Sequence, residues 1–282
     1  MSTLIIARLT FQEAARRRIL LAGLLLGLVF LAVFILGYHY IMLDISRQRF
    51  PGSSAQMSEI SNFLLMAGLY VVNFLTIMMT VLTSVDTLSG EIASGTIHTL
   101  LAKPIRRWEI VLGKWLGFAG MLTLYLVMMA GGVILAIYLR SNYLPPHPVR
   151  AVLLLWLNAL LLLSISLLGG TMLSTLANGV LVFGLYGVAF IGGWIEQIGT
   201  FLQNMAASHT AVNIGIITSL ILPSEALWKR AAHEIQSPLV AALGFSPFSS
   251  SYYPSAVMIA YSVFYLLAVF FLAIRLFNQR DL

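Results

Sequence analysis

The chain has 282 residues, 60 % of them hydrophobic and only 9 % charged, with a mean hydropathy of +0.94; soluble domains carry about a quarter charged residues, so a soluble domain is excluded and an integral membrane protein is implied. Sixteen Lys and Arg against ten Asp and Glu give a net charge of +6, but the cations flank apolar stretches instead of forming a stripe, which reads as membrane topology and not as nucleic-acid binding. The lack of cysteine excludes disulfides, thiolate metal sites and cysteine nucleophiles.

Residues 4–18 are too polar to span. Leu4, Ile5, Phe11 and Ala15 can share a helical face opposite Arg8, Glu13 and Arg16, the pattern of an amphipathic helix at a membrane interface. Arg16-Arg17-Arg18 precede an apolar run of roughly 22 residues, long enough to span and without a small-residue cleavage pattern. The fold class expected is an all-α membrane protein with six transmembrane helices in one domain, over about residues 19–40, 61–85, 110–138, 151–176, 180–201 and 257–277. Pro51-Gly52-Ser53-Ser54 marks a turn-rich loop after the first span, and Pro145, Pro146 and Pro148 stiffen the connection after the third. Ala177-Asn178-Gly179 is the expected tight link of a helical hairpin. Between spans five and six, Pro223-Ser224 is expected to start an outer helix with Ser224 as N-cap and Leu227, Trp228, Ala231 and Ile235 on its apolar side, lying along the membrane surface.

Six spans put both termini on one side. With the termini inside, ten cations fall inside (Arg8, Arg16, Arg17, Arg18, Lys103, Arg106, Arg107, Lys114, Arg275 and Arg280) and six outside. That excess predicts cytoplasmic N- and C-termini.

Catalytic chemistry is hard to place. Neither G-x-x-x-x-G-K-[ST] nor G-x-G-x-x-G after a strand occurs, so no phosphate cradle is predicted. His39, His98, His147, His209 and His233 lie in different segments without metal-ligand spacing, so neither a metal nor a catalytic residue is assigned. The methionines of spans two and three, which include Met78, Met79, Met128 and Met129, have thioethers able to pass Cu(I), but they also fill apolar gaps, and packing is the reading taken. Asn73, Thr76, Thr80, Thr83 and Thr87 recur at spacings of three and four, a polar ridge on an apolar helix. Such a ridge either bonds to another helix of the same chain or lines a pathway or dimer seam. Gly113-x-x-x-Gly117, and Gly184, Gly187, Gly192 and Gly193, mark places where backbones can approach, with Gly184 and Gly187 further candidates for a pathway or seam. Glu196, a charge near the outer end of span five, is also a functional candidate.

The stretch Leu88–Lys114 is the longest that is both polar and patterned. Ser89-Gly90 is expected to break span two, Glu91–Ser94 to form a short turn, Gly95-Thr96 to punctuate, and Ile97–Ala102 to give an apolar-sided helix ended by Lys103-Pro104. The result is a folded bracket outside the membrane, fit to bind a partner.

Three runs in it, Ser89-Gly90-Glu91-Ile92-Ala93-Ser94-Gly95-Thr96, Leu100-Leu101-Ala102-Lys103-Pro104-Ile105-Arg106-Arg107 and Glu109-Ile110-Val111-Leu112-Gly113-Lys114, resemble the permease subunits of ABC-2-type transporters, the class that includes the nitrous-oxide-reductase maturation permease and many antibiotic and polysaccharide exporters. Leu222-Pro223-Ser224-Glu225 and Arg280-Asp281-Leu282 add to the similarity. The resemblance implies a cytoplasmic coupling helix between spans two and three, docked on a separate ATP-binding subunit. It implies two permeases and two ATPases in the membrane lipids of a bacterial or archaeal cytoplasmic membrane, with an accessory protein as a further partner. ATP and Mg would sit on the ATPase and no cofactor on this chain, and spans two and five would border the pathway. Coupling residues on this view are Glu91, Gly95 and Thr96, which hold the bracket, and Ile97, Leu100, Leu101, Arg106 and Arg107. Two other readings are a non-transporting membrane scaffold and a lipid-modifying transferase, which needs a cluster of His or acids at one membrane face that the scattered histidines do not offer.

Overall fold

The computed structural model describes residues 2–47, 54–97, 105–203, 210–238 and 253–280. These fold into α1 (Ser2–Arg16), α2 (Arg18–Arg47), α3 (Ser54–Ala93), α4 (Arg107–Ser141), α5 (Pro148–Met172), α6 (Thr175–Gln203), α7 (Thr210–Ile221), α8 (Ser224–Ile235) and α9 (Ala256–Gln279). Six of them, α2, α3, α4, α5, α6 and α9, are long and apolar enough to cross a membrane. At 40 residues α3 is about 60 Å long, roughly twice the hydrocarbon thickness, so it projects well beyond an apolar slab.

The bundle is built around α5 and α3. Of their apolar middles 72 % and 67 % are buried within the chain, against 11 % for α2, which lies at the rim. α5 is leucine-rich on every side, as a helix enclosed by others must be. Its polar side chains all face partners: Asn158 donates to the Asn73 amide oxygen (3.2 Å), and Ser166 and Ser164 accept from the Ser84 hydroxyl (2.8 Å) and the Trp115 indole (3.0 Å). The polar ridge of α3 is thus turned inward. Asn73, Thr76, Thr80 and Thr83 are buried, and the three threonine hydroxyls each donate to the carbonyl one turn back at 2.7 Å. Asn73 is the member of the ridge that bonds another helix, and the outward face of α3 is Phe74, Leu82 and Asp86.

α6 and α7 form an antiparallel hairpin sealed by small residues, with Gly192 against Thr218 and Gly199 against Ala211. α7 then breaks into α8 at an angle of 106°. At 12 residues, about 18 Å, neither helix is long enough to cross alone. The opposite end of α8 is clasped by buried Asn62, which donates to the Ile235 carbonyl (2.7 Å) and the Tyr143 hydroxyl (2.9 Å) and accepts from the Ser237 amide (3.2 Å). Burial pushes the Tyr143 hydroxyl, in the loop between α4 and α5, above its ordinary pKa.

Several expectations are corrected. α3 does not break at Ser89-Gly90: the Ser94 amide still bonds the Gly90 carbonyl, and a helical glycine flanked by good contacts costs little. The chain turns instead at Gly95, where φ is 71°. The hairpin link is Leu173-Ser174, not Ala177-Asn178-Gly179, because Ser174 caps α6 by accepting the Ala177 amide (3.5 Å). Ser224 is the first helical residue of α8; Pro223 is its N-cap. Nor does α8 keep one side free. Glu225 and Lys229 are buried along with its apolar side, because the helix packs against α5 and α6. On α1 the packed face is Ile6, Thr10 and Ala14, while Leu4 and Ile5 point away from the bundle.

Candidate functional site

Three of the chain's charged clusters lie where helices end or bend. The first is the base of the bracket. Lys114, buried on α4, reaches Glu91 at the end of α3 at 2.5 Å. Beyond it, Gly95 reverses the chain and the Thr96 hydroxyl donates to the Glu91 carbonyl (3.3 Å) and pairs with Ser94 (2.9 Å). Ile97 is fully buried, so it supports the bracket from within and is not part of an outer face. Leu100 and Leu101, with the rest of 98–104, lie outside the described residues. The chain re-emerges at exposed Arg106, whose amide is held by the Glu109 carboxylate (3.2 Å), closing the first turn of α4.

α4 is in turn tied to both terminal segments. Gly113 and Gly117 have no Cβ, and in that space lie Ile6 (a Cβ on Gly113 would meet it at 2.7 Å) and the Ala7 carbonyl (2.7 Å from one on Gly117). The G-x-x-x-G pair therefore seats α1, and Ser2 donates to Glu109 at 3.0 Å. Arg107 donates to the Arg280 carbonyl (2.6 Å), and Arg280 itself to the Thr171 carbonyl, joining α4, α9 and α5 at one end.

The second cluster is a groove of about 780 Å³ between α3 and α6, at the same end of the bundle as Arg17. Its walls are apolar, among them Leu82, Val180 and Phe183, and its polar mouth is Asp86 with Thr175. Asp86 accepts from Thr175 (2.9 Å) and faces Arg17 at 3.6 Å. Behind it Asn178, fully buried, donates to the carbonyls of Val85 (3.0 Å) and Ser166 (2.9 Å), locking α6 to α3 and α5. Gly184 lines the groove, and a Cβ at Gly184 or Gly187 would meet nothing within 4 Å. Among the described residues these two glycines seat no neighbour, unlike Gly192 and Gly193.

The third cluster is at the opposite end. Glu196 on α6 meets Lys229 on α8 at 2.7 Å. The sequence flagged Glu196 alone. Nothing in the sequence pattern joins Glu225 or Lys229 to Glu196, and only the fold buries them together; Lys114 and Asn178 likewise become locks only in the fold. The signal that existed was α8's charge in a segment of a chain with so few charges.

Among curated proteins, none matches this chain. A family model described as ABC-2 family transporter protein does match, over residues 4–282. With nearly its whole length covered, and six candidate spans in an all-helical bundle, the chain belongs to the ABC-2 family of transporter proteins.

Proposed function

We infer that this chain is the permease subunit of an ATP-binding-cassette exporter, driven by a separate ATPase that docks on the segment between α3 and α4. Two permeases and two ATPases make the working unit. ATP and Mg sit on the ATPase, and the bracket end, with both termini, faces the cytoplasm of a bacterium or archaeon.

The observation that carries the reading is the Glu91–Lys114 ion pair between the end of α3 and α4, with Lys114 buried and Glu91 half-buried. In a low-dielectric interior a paired charge resists separation, because a buried partner left alone costs about 3–5 kcal/mol. A push on the bracket therefore moves α3 and α4 together instead of pulling them apart. Through Gly113 and Gly117 it carries α1, and through Arg107 it carries the end of α9. Substrate passes along the α3–α6 face, where the groove and its Asp86 mouth lie. Rigid-body rocking of this kind, and not any bond chemistry on this chain, is the work performed.

The test is ATP hydrolysis by the co-purified complex in lipid. Arg106→Glu reverses an exposed charge at the docking edge and should lower the ATPase rate and weaken co-purification while the melting temperature of the chain stays put. An ATPase that runs at one rate with wild-type chain, with Arg106→Glu and with no chain at all sinks the coupling role and favours a scaffold.

A further inference from the structure

The third cluster lies at the end of the bundle away from the Glu91–Lys114 pair, and in it two acids stand beside one base. Glu196, Glu225 and Lys229 are 7 %, 4 % and 4 % exposed. Lys229 pairs with Glu196, and among the described residues the Glu225 carboxylate has neither a hydrogen bond nor an ion pair within 4 Å. Its place is built for it: Gly193, less than one turn before Glu196, has no Cβ, and one there would stand 2.9 Å from Glu225 Cγ. Two acids share one ammonium, so Lys229 can hold only one of them ionised, and the other ionises only when a further positive group joins the cluster.

A cavity of about 200 Å³ adjoins the pair, lined by Glu196, Lys229, Ser219 and Ser255 among apolar side chains such as Ile216 and Met258. It lies between α7 and α9, beside exposed Ile217 and Val257. No group of three or more His, Cys, Asp or Glu able to hold a metal occurs among the described residues. Apolar walls, two hydroxyls and a carboxylate suit an organic cation with N–H donors.

We propose that this cavity binds a primary alkylammonium group, the chemistry shared by a phosphatidylethanolamine headgroup and a free amine, with Glu196 accepting its N–H groups while Lys229 turns to Glu225. Lys229 lies four residues after Glu225 on one helix, so its ammonium reaches either acid. On binding, each carboxylate gains its own cation, and the Ser219 and Ser255 hydroxyls accept the remaining N–H. A quaternary ammonium, without N–H, is rejected. The proposal stands apart from the coupling reading.

The experiment measures thermal unfolding of the purified chain in phosphatidylcholine nanodiscs. Ethanolamine is titrated in one arm, and in the other part of the lipid is replaced by phosphatidylethanolamine. A ligand that binds only the folded state raises the melting temperature, by a few degrees once well above its Kd. A rise in either arm, with none for choline, is the expected result, and the responding arm names the source. Glu196→Gln should weaken the response about tenfold or more. Ser219→Leu fills the cavity without touching a charge and should abolish it too, which keeps the test valid if Glu196→Gln fails to fold. The idea is overturned by equal responses to choline and ethanolamine, by a full response in Ser219→Leu, or by a flat wild-type curve in both arms.

Discussion

Lys114 and Asn178 are the residues on which the two helix junctions of the bracket end rest. Lys114→Met leaves Glu91 half-buried and unpaired, and Glu91→Gln leaves Lys114 buried and unpaired; the second change should cost about 3–5 kcal/mol and the first less. The double variant removes both charges together and should recover most of that loss, because similar-sized neutral groups replace a desolvated pair. Thermal unfolding of the three variants in one lipid checks this. Two single losses that simply add in the double variant would mean that the charges do not act as a pair. Asn178→Ala is expected to cost about 1–3 kcal/mol, since the carbonyls of Val85 and Ser166 lose their donor inside the bundle. A melting temperature equal to wild type would show that the two carbonyls find other donors. Neither effect was legible in the sequence. Asn178 sits beside a glycine and an alanine and reads as a turn residue, whereas its helical position is fixed by partners 93 and 12 residues away.

At the scale of elements, the spans were legible because hydropathy is a local property, and the ends were not, because ends are decided by caps and contacts. Gly90 and Gly95 make the point. Both look like breakers, yet Gly90 continues a helix whose hydrogen bonds close over it, and Gly95 adopts the left-handed backbone that stops it. Gly95→Ala should therefore cost about 1 kcal/mol or more in strain, and Gly90→Ala should instead be judged by its contact with the Asp86 side chain. Gly113-x-x-x-Gly117 was legible as a close-packing motif but its partner was not, since the sequence gives no reason to prefer α1 over a second span. Gly117→Val puts a branched side chain where the Ala7 carbonyl and Thr10 now lie, and it should lift α1 off α4. Faster amide hydrogen exchange across Ser2–Arg16, with α5 still protected, is the expected signature. Unchanged protection of α1 would show that the glycine is not what seats it.

For the whole molecule, the question is what covers the α3–α6 face. The chain shows an exposed strip on α6 that includes Leu176, Val180 and Val188, beside a groove whose mouth carries a carboxylate half exposed on α3. Lipid alone would tolerate the apolar strip but gives no use to Gly184 and Gly187, which give up side-chain area without gaining a contact among the described residues. A second copy placed across this face would use the glycines for close approach and enclose the groove. The chain contains no cysteine, so a single introduced one reports without background. Gly184→Cys should form a disulfide-linked dimer on mild oxidation in native membranes, because two symmetry-related positions at a close seam come within the roughly 4.4–6.8 Å Cα separation that a disulfide requires. Phe264→Cys, also exposed but on α9, away from the groove, should remain monomeric under the same conditions. Cross-linking at Phe264 and none at Gly184 would move the seam to α9 and leave the α3–α6 groove open to lipid; the expected pattern would make the groove a chamber between two copies.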